Sequence, residues 1–185
     1  MTISPVLWGW VSLAIWAIHG VHSLWRHEPY NIFWACNVSC LLIGIGLLKK
    51  VPLAHAVGLL WLTTGIPFWL VDIATGGEFI VTSFLTHIGG FVCAVAVLSE
   101  RPFEKGSWWK GFLLWISFQL VCRALTPEKD NVNLVWAVWP GWEGVFPTFA
   151  RYHVFLLTIS LTSFIGTEKA AIAFGSRRAT TAVPA

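Results

Sequence analysis

Six mostly apolar stretches follow one another along this chain: Pro5–Trp25, Ile32–Leu48, Pro52–Ile73, Phe79–Leu98, Trp108–Ala124 and Pro147–Gly166. A helix needs roughly 20 mostly apolar residues to cross the hydrocarbon of a bilayer, and each stretch has or approaches that length. Charged residues with Gly or Pro punctuate the breaks, as in Arg26-His27-Glu28-Pro29, Thr75-Gly76-Gly77-Glu78 and the segment from Ser99 to Lys105. Turns at a membrane surface read this way. Only 11% of the 185 residues are charged, against about 25% in a soluble domain. The 13 Trp suit membrane interfaces, where the ring sits in the apolar layer and its N–H meets the headgroups. The pattern predicts an all-α polytopic membrane protein with about six transmembrane helices in one bundle. That bundle spans residues 1–168. The Pro- and Gly-broken segment 126–146, rich in Trp, is expected as an interfacial loop over the bundle mouth. Residues 169–185 are expected as a mobile cytoplasmic tail.

Other classes find no support. The net charge of +3 gives no reason to expect nucleic acid as a partner. Cys36, Cys40, Cys93 and Cys122 lack zinc-finger or CxxC spacing and read first as small buried hydrophobes. The first stretch has no basic leading region and no small-residue cleavage site, so it reads as a span and not as a signal peptide. With six spans, eight of the twelve basic residues fall on the side of the two termini. The positive-inside rule then places both termini in the cytoplasm, and the expected location is a bacterial inner membrane.

Polar groups inside hydrocarbon are costly and need a partner or a purpose. Counted by helical rise, nearly all of them gather towards one face. His19 and His22 end the first span, and Cys36, Asn37 and Cys40 begin the second. Asp72 ends the third span, Ser83 and His87 lie in the fourth, and Gln119, Cys122 and Arg123 end the fifth. Arg151 and His153 begin the sixth. The clustering predicts an outward-facing polar cavity roofed by the Trp-rich loop. His87 lies about 12 Å inside its span.

A thiolate attacks a carbonyl once a nearby His takes its proton. Cys36 or Cys40 could be that nucleophile and His87 the base. Depth favours Cys40, because Cys36 lies about 6 Å nearer the surface. Asn37 or Ser39 could stabilise an oxyanion, Ser83 and Asn133 could add polar support, and Arg123 or Arg151 could bind an anionic headgroup.

The stretch Phe33-Trp34-Ala35-Cys36-Asn37-Val38-Ser39 is followed by an apolar run and a Pro52 helix start, then by Phe84-Leu85-Thr86-His87-Ile88-Gly89. Together these segments resemble the YwaF-like family of integral membrane proteins. That family is similar to the androgen-induced membrane hydrolases and a transmembrane acyltransferase. The likeness runs loosely from Tyr30 to Trp142. It implies a six-helix bundle that hydrolyses or transfers lipid acyl chains. In that case Cys36 would be the nucleophile and His87 its partner, and Asn131 and Asn133 would match an Asn-containing segment after the fifth helix. A His often stands two residues before the family's Cys, where this chain has Trp34.

The expected function is a membrane-embedded hydrolase or acyltransferase whose partner is membrane lipid and which needs no cofactor. One alternative is a small transporter or a structural subunit of a membrane complex, with other chains or copies of itself as partners. Another is a transition-metal or haem site built on His19, His22 and His153, since imidazoles suit such ions.

Overall fold

Local signals set the helix ends. The computed structural model describes residues 4–181, with side chains to residue 177. Helix α1 (Pro5–Trp25) starts where the Ser4 side chain accepts from the Val6 N–H, with Pro5 in its first turn, a position where a missing N–H costs nothing. Trp34 is extended, so α2 (Ala35–Leu48) begins later than the apolar run does, after a short 3-10 turn at Pro29–Phe33. Helix α3 (Pro52–Ala74) runs unbroken through Pro67. Helix α4 (Val81–Ala96) carries a π turn at Leu85–Gly89. Helix α5 covers Ser107–Leu125 and α6 covers Phe149–Thr181. Among the described residues there is no strand.

The stretch from 169, expected as a tail, continues α6 to Thr181; residues 182–185 lie outside the described ones. Glu168, buried near that junction, explains part of the extension. Its two carboxylate oxygens accept the Gly106 and Trp108 N–H groups at 2.9 Å each. An acidic side chain thus caps the start of α5, where the helix dipole favours negative charge.

The helices alternate in direction. Gly9 near the start of α1 packs on Leu48 at the end of α2, and Gly46 of α2 packs on His55 in the first turn of α3. His55 Nε2 donates to the Ala94 carbonyl at the end of α4, 3.0 Å away. At the opposite end, Thr82 of α4 bonds His19 and His22 of α1. Helix α3 is the centre of the bundle and touches α2, α4, α5 and α6. Leu59, Leu60, Trp61 and Leu62 in succession are all buried, as expected of a helix packed on every side.

Two helices, Pro52–Ala74 and Phe149–Arg177, are long and apolar enough to cross a membrane. Apolar segments α2 and α4 are shorter, while α5 carries Lys110, Gln119 and Arg123. The outer faces are apolar all the same: Val6, Trp10, Ile18, Val21, Leu24 and Trp25 of α1 are exposed, as are Leu113 and Leu120 of α5.

A methyl at Gly46 would collide with the backbone N of His55, and backbone cannot rotate aside. Gly46→Ala is therefore expected to lower stability by about 1–3 kcal/mol, read as a lower melting temperature in detergent. Gly166→Ala, in open space, should leave it unchanged.

Candidate functional site

A cavity of about 490 Å³ opens at the end of the bundle where α1 finishes and α2 begins. Its wall includes Cys36 and Asn37 of α2, Thr64, Gly65, Phe68, Trp69 and Asp72 of α3, and Ser83 and His87 of α4. Asn131, Asn133, Trp139 and Pro140 from the 126–146 segment complete it. Of the polar residues that sequence depth grouped at one face, His19, Cys36, Asn37, Asp72, Ser83 and His87 line this one space, together with Trp139 of the Trp-rich segment.

Cys36 stands in the first turn of α2. Its thiol rests against Gly65 of α3, where any Cβ would overlap the sulfur. One turn further along α3, Trp69 stacks on the His87 ring, with centroids 4.6 Å apart and planes 10° apart. Thiol and imidazole are therefore seated one helical turn apart on α3, roughly 6 Å along its axis. They do not bond each other directly, and both line the cavity. His87 Nδ1 donates to the Ser83 carbonyl at 2.8 Å. That bond selects the tautomer whose Nε2 carries a lone pair, and Nε2 has no hydrogen-bond partner among the described residues. The π turn containing His87 is a helix irregularity that recurs at functional sites.

The loop holds α2 in place. Asn133 Oδ1 accepts the Ala35 N–H at 2.8 Å, and its Nδ2 donates to the Phe33 carbonyl at 2.8 Å and to Cys122 Sγ at 3.1 Å. Asn131 Oδ1 accepts the Trp136 and Ala137 N–H groups at 3.0 Å each. Both Asn residues have positive φ, which Asn tolerates better than most residues. Asn37 Nδ2 donates to the Asn31 carbonyl at 2.5 Å, and its own carbonyl oxygen has no hydrogen-bond partner among the described residues. Ser39 spends its hydroxyl on Ala35 O and is not free to hold an oxyanion.

Other expected residues fall elsewhere. Cys40, favoured by depth, is fully buried; its thiol packs on Gly90 and donates to the Thr86 carbonyl. Arg123 lies on the Trp136 and Phe149 rings and donates to Val135 O. With Gln119 and His153 it lines a separate cavity of about 120 Å³. Arg151 is exposed in the first turn of α6. His19 and His22 share the Thr82 hydroxyl at 2.9 and 3.1 Å, and His153 is not with them. Among the described residues no three His, Cys, Asp or Glu side chains gather to hold a metal.

Sequence reading missed Gly65 and Trp69 as seats for the Cys and His. Their i, i+4 spacing on one helix face was available as a signal. It also missed the ion pair at the cavity mouth, where Arg26 grips both Glu78 oxygens at 2.6 and 2.8 Å. No protein-family model, curated protein or solved structure matches the chain.

Arg26 holds the Glu78 carboxyl below its ordinary range. A depressed folded pKa means the pair stabilises the fold above the ordinary Glu value of about 4.3 and loses that contribution as pH falls through the lower, folded value. The melting-temperature gap between wild type and Glu78→Gln should therefore be small at neutral pH, as for exposed pairs, and close on acidification below about 4. Asn133→Ala strands the Ala35 N–H and the Phe33 carbonyl. It should cost roughly 2–3 kcal/mol and raise the rate at which maleimide modifies Cys36.

Proposed function

We propose that this chain is an integral membrane protein crossing the bilayer six times, with cytoplasmic termini, and that it hydrolyses or transfers lipid acyl groups. Support for the spans comes from six alternating helices, two of them long and apolar enough to cross alone, and from apolar outer faces. A water-soluble protein rarely exposes such surface. For the chemistry, the observation that carries the reading is the seating of Cys36 and His87 one turn apart on α3, on the wall of one cavity. The resemblance of the Cys36 and His87 segments to the YwaF-like family points the same way.

In this reading an acyl ester enters with its carbonyl between the two side chains. In so apolar a wall a free thiolate is costly, so the proton leaves as the sulfur attacks. Cys36 Sγ bonds to the carbonyl carbon while its proton passes to His87 Nε2. In this reading the second Nδ2 hydrogen of Asn37 meets the negative oxygen. Collapse of the tetrahedral intermediate breaks the ester C–O bond, and His87 returns the proton to the leaving alcohol. Water or an acceptor alcohol then attacks the acyl thioester as His87 takes its proton, and the C–S bond breaks as His87 returns that proton to Cys36 Sγ. Asn133 acts as a positioning residue through the start of α2.

The test is covalent labelling of the detergent-purified protein with a thiol-reactive, lipid-like acyl probe. Labelling should fall at least 100-fold in Cys36→Ala and His87→Ala and stay within about two-fold in Cys40→Ser, since each tenfold is 1.36 kcal/mol of barrier. Folding of each variant is checked by its melting temperature. Labelling indifferent to Cys36 and His87 would end the acyl reading and favour a role as complex subunit or transporter.

A further inference from the structure

The charges around the cavity do not suit an anionic headgroup. Asp72, Glu78, Asp130 and Lys129 are the charged residues of the wall. Glu78 is met by Arg26. Among the described residues neither the Asp72 nor the Asp130 side chain makes a hydrogen bond or ion pair. With Lys129 counted against them, one negative charge remains uncompensated at the mouth. The two arginines that could draw an anion lie outside: Arg123 in the smaller cavity and Arg151 on the surface.

The wall beside these carboxylates is aromatic. Trp69 stands three residues before Asp72 on α3, so both occupy one helix face. Phe68 stacks on Trp139 of the roof, with centroids 5.9 Å apart. Ring faces attract cations, and they favour weakly hydrated alkylammonium groups, for which aromatic cages with carboxylates are the usual receptor. A hydrated sodium or a lysine-like ammonium gains less from ring faces. On the same wall, His87 Nε2 and the Asn37 carbonyl oxygen make no hydrogen bond among the described residues, which leaves them to a ligand or water.

We infer that the cavity binds a ligand carrying an alkylammonium cation, a trimethylammonium group above all, held between the Asp72 and Asp130 carboxylates and the Trp69 and Trp139 rings. The acyl reading supplies what the cation is attached to, a lipid ester, and the inference rests on it for that part alone. In a zwitterionic headgroup the neighbouring phosphate would meet Lys129.

The experiment uses full-length Cys36→Ala protein in a neutral maltoside detergent, so that no turnover intervenes. Short-chain diacyl phosphocholine and diacyl phosphoglycerol of equal chain length are titrated, with melting temperature and Trp fluorescence as readouts. Phosphocholine should bind at least ten-fold more tightly. Asp72→Asn should reduce that preference to two-fold or less, Asp72→Glu should keep most of it, and Trp69→Leu should weaken it while Trp69→Phe retains it. The melting temperatures of the ligand-free variants show that each is folded. Competition by free choline would support a soluble ligand, and competition by the amphiphile alone a lipid. Equal or tighter binding of phosphoglycerol, or a preference untouched by Asp72→Asn and Asp130→Asn together, would overturn the inference. Because binding is read without the thiol, failure of the covalent-labelling test and failure of this one are separate results.

Discussion

Glycine at position 65 lets α2 approach α3 until the Cys36 sulfur rests on the α3 backbone. The rest of the cavity depends on that approach. Four residues further along α3, Trp69 carries the His87 ring, and beside it Phe68 carries Trp139 of the roof. One face of a single helix therefore sets Cys36, His87 and the Trp139 segment relative to each other. The stretch of that helix just before Gly65, from His55 to Leu62, is buried throughout and gives the bundle a stiff reference. Its neighbours cannot shift without opening voids, and interiors this close-packed resist voids.

The start of α2 needs a second restraint, because the first N–H groups of any helix have no partner inside it. Here the partner comes from Asn133, almost a hundred residues later in the chain. The same side chain ties down the Phe33 carbonyl and Cys122, so the end of α5, the loop and the start of α2 move as one. A chain of polar contacts continues around the rim from Glu78 through Arg26 and Glu28 to Asn31 and Asn37. Hydrogen bonds to charged groups are the stronger kind. They brace the rim, while stacked rings brace the roof.

Particular residues show how far sequence reaches. The start of α1 at Pro5, the start of α3 at Pro52 and the breaks at Arg26-His27 and Lys49-Lys50 were legible because proline and punctuating charge act locally. The gathering of polar residues at one end was legible because helical rise converts residue number into depth. The choice between Cys36 and Cys40 was not. They are four residues apart on one helix and share a face, so only their neighbours differ. Cys36 meets Gly65 beside the cavity, whereas Cys40 meets Gly90 within the core. His153 and Arg123 were placed at the right depth on the wrong side, since depth says nothing about which pair of helices encloses a residue. The length of α6 was hidden for another reason. A run rich in Ala, Ser and Thr is indifferent by composition, and Glu168 joins the start of α5 only in the folded chain.

What the sequence by itself determined is the set of helices, their alternation and the end at which polar groups collect. Each follows from interactions between residues close along the chain. Only the tertiary structure decided which thiol faces the cavity, which tautomer His87 adopts, and that Asp72 and Asp130, not Arg123 and Arg151, line its wall. Those outcomes depend on contacts between α2, α3, α4 and the loop, whose partners lie tens of residues apart and are brought together by packing alone.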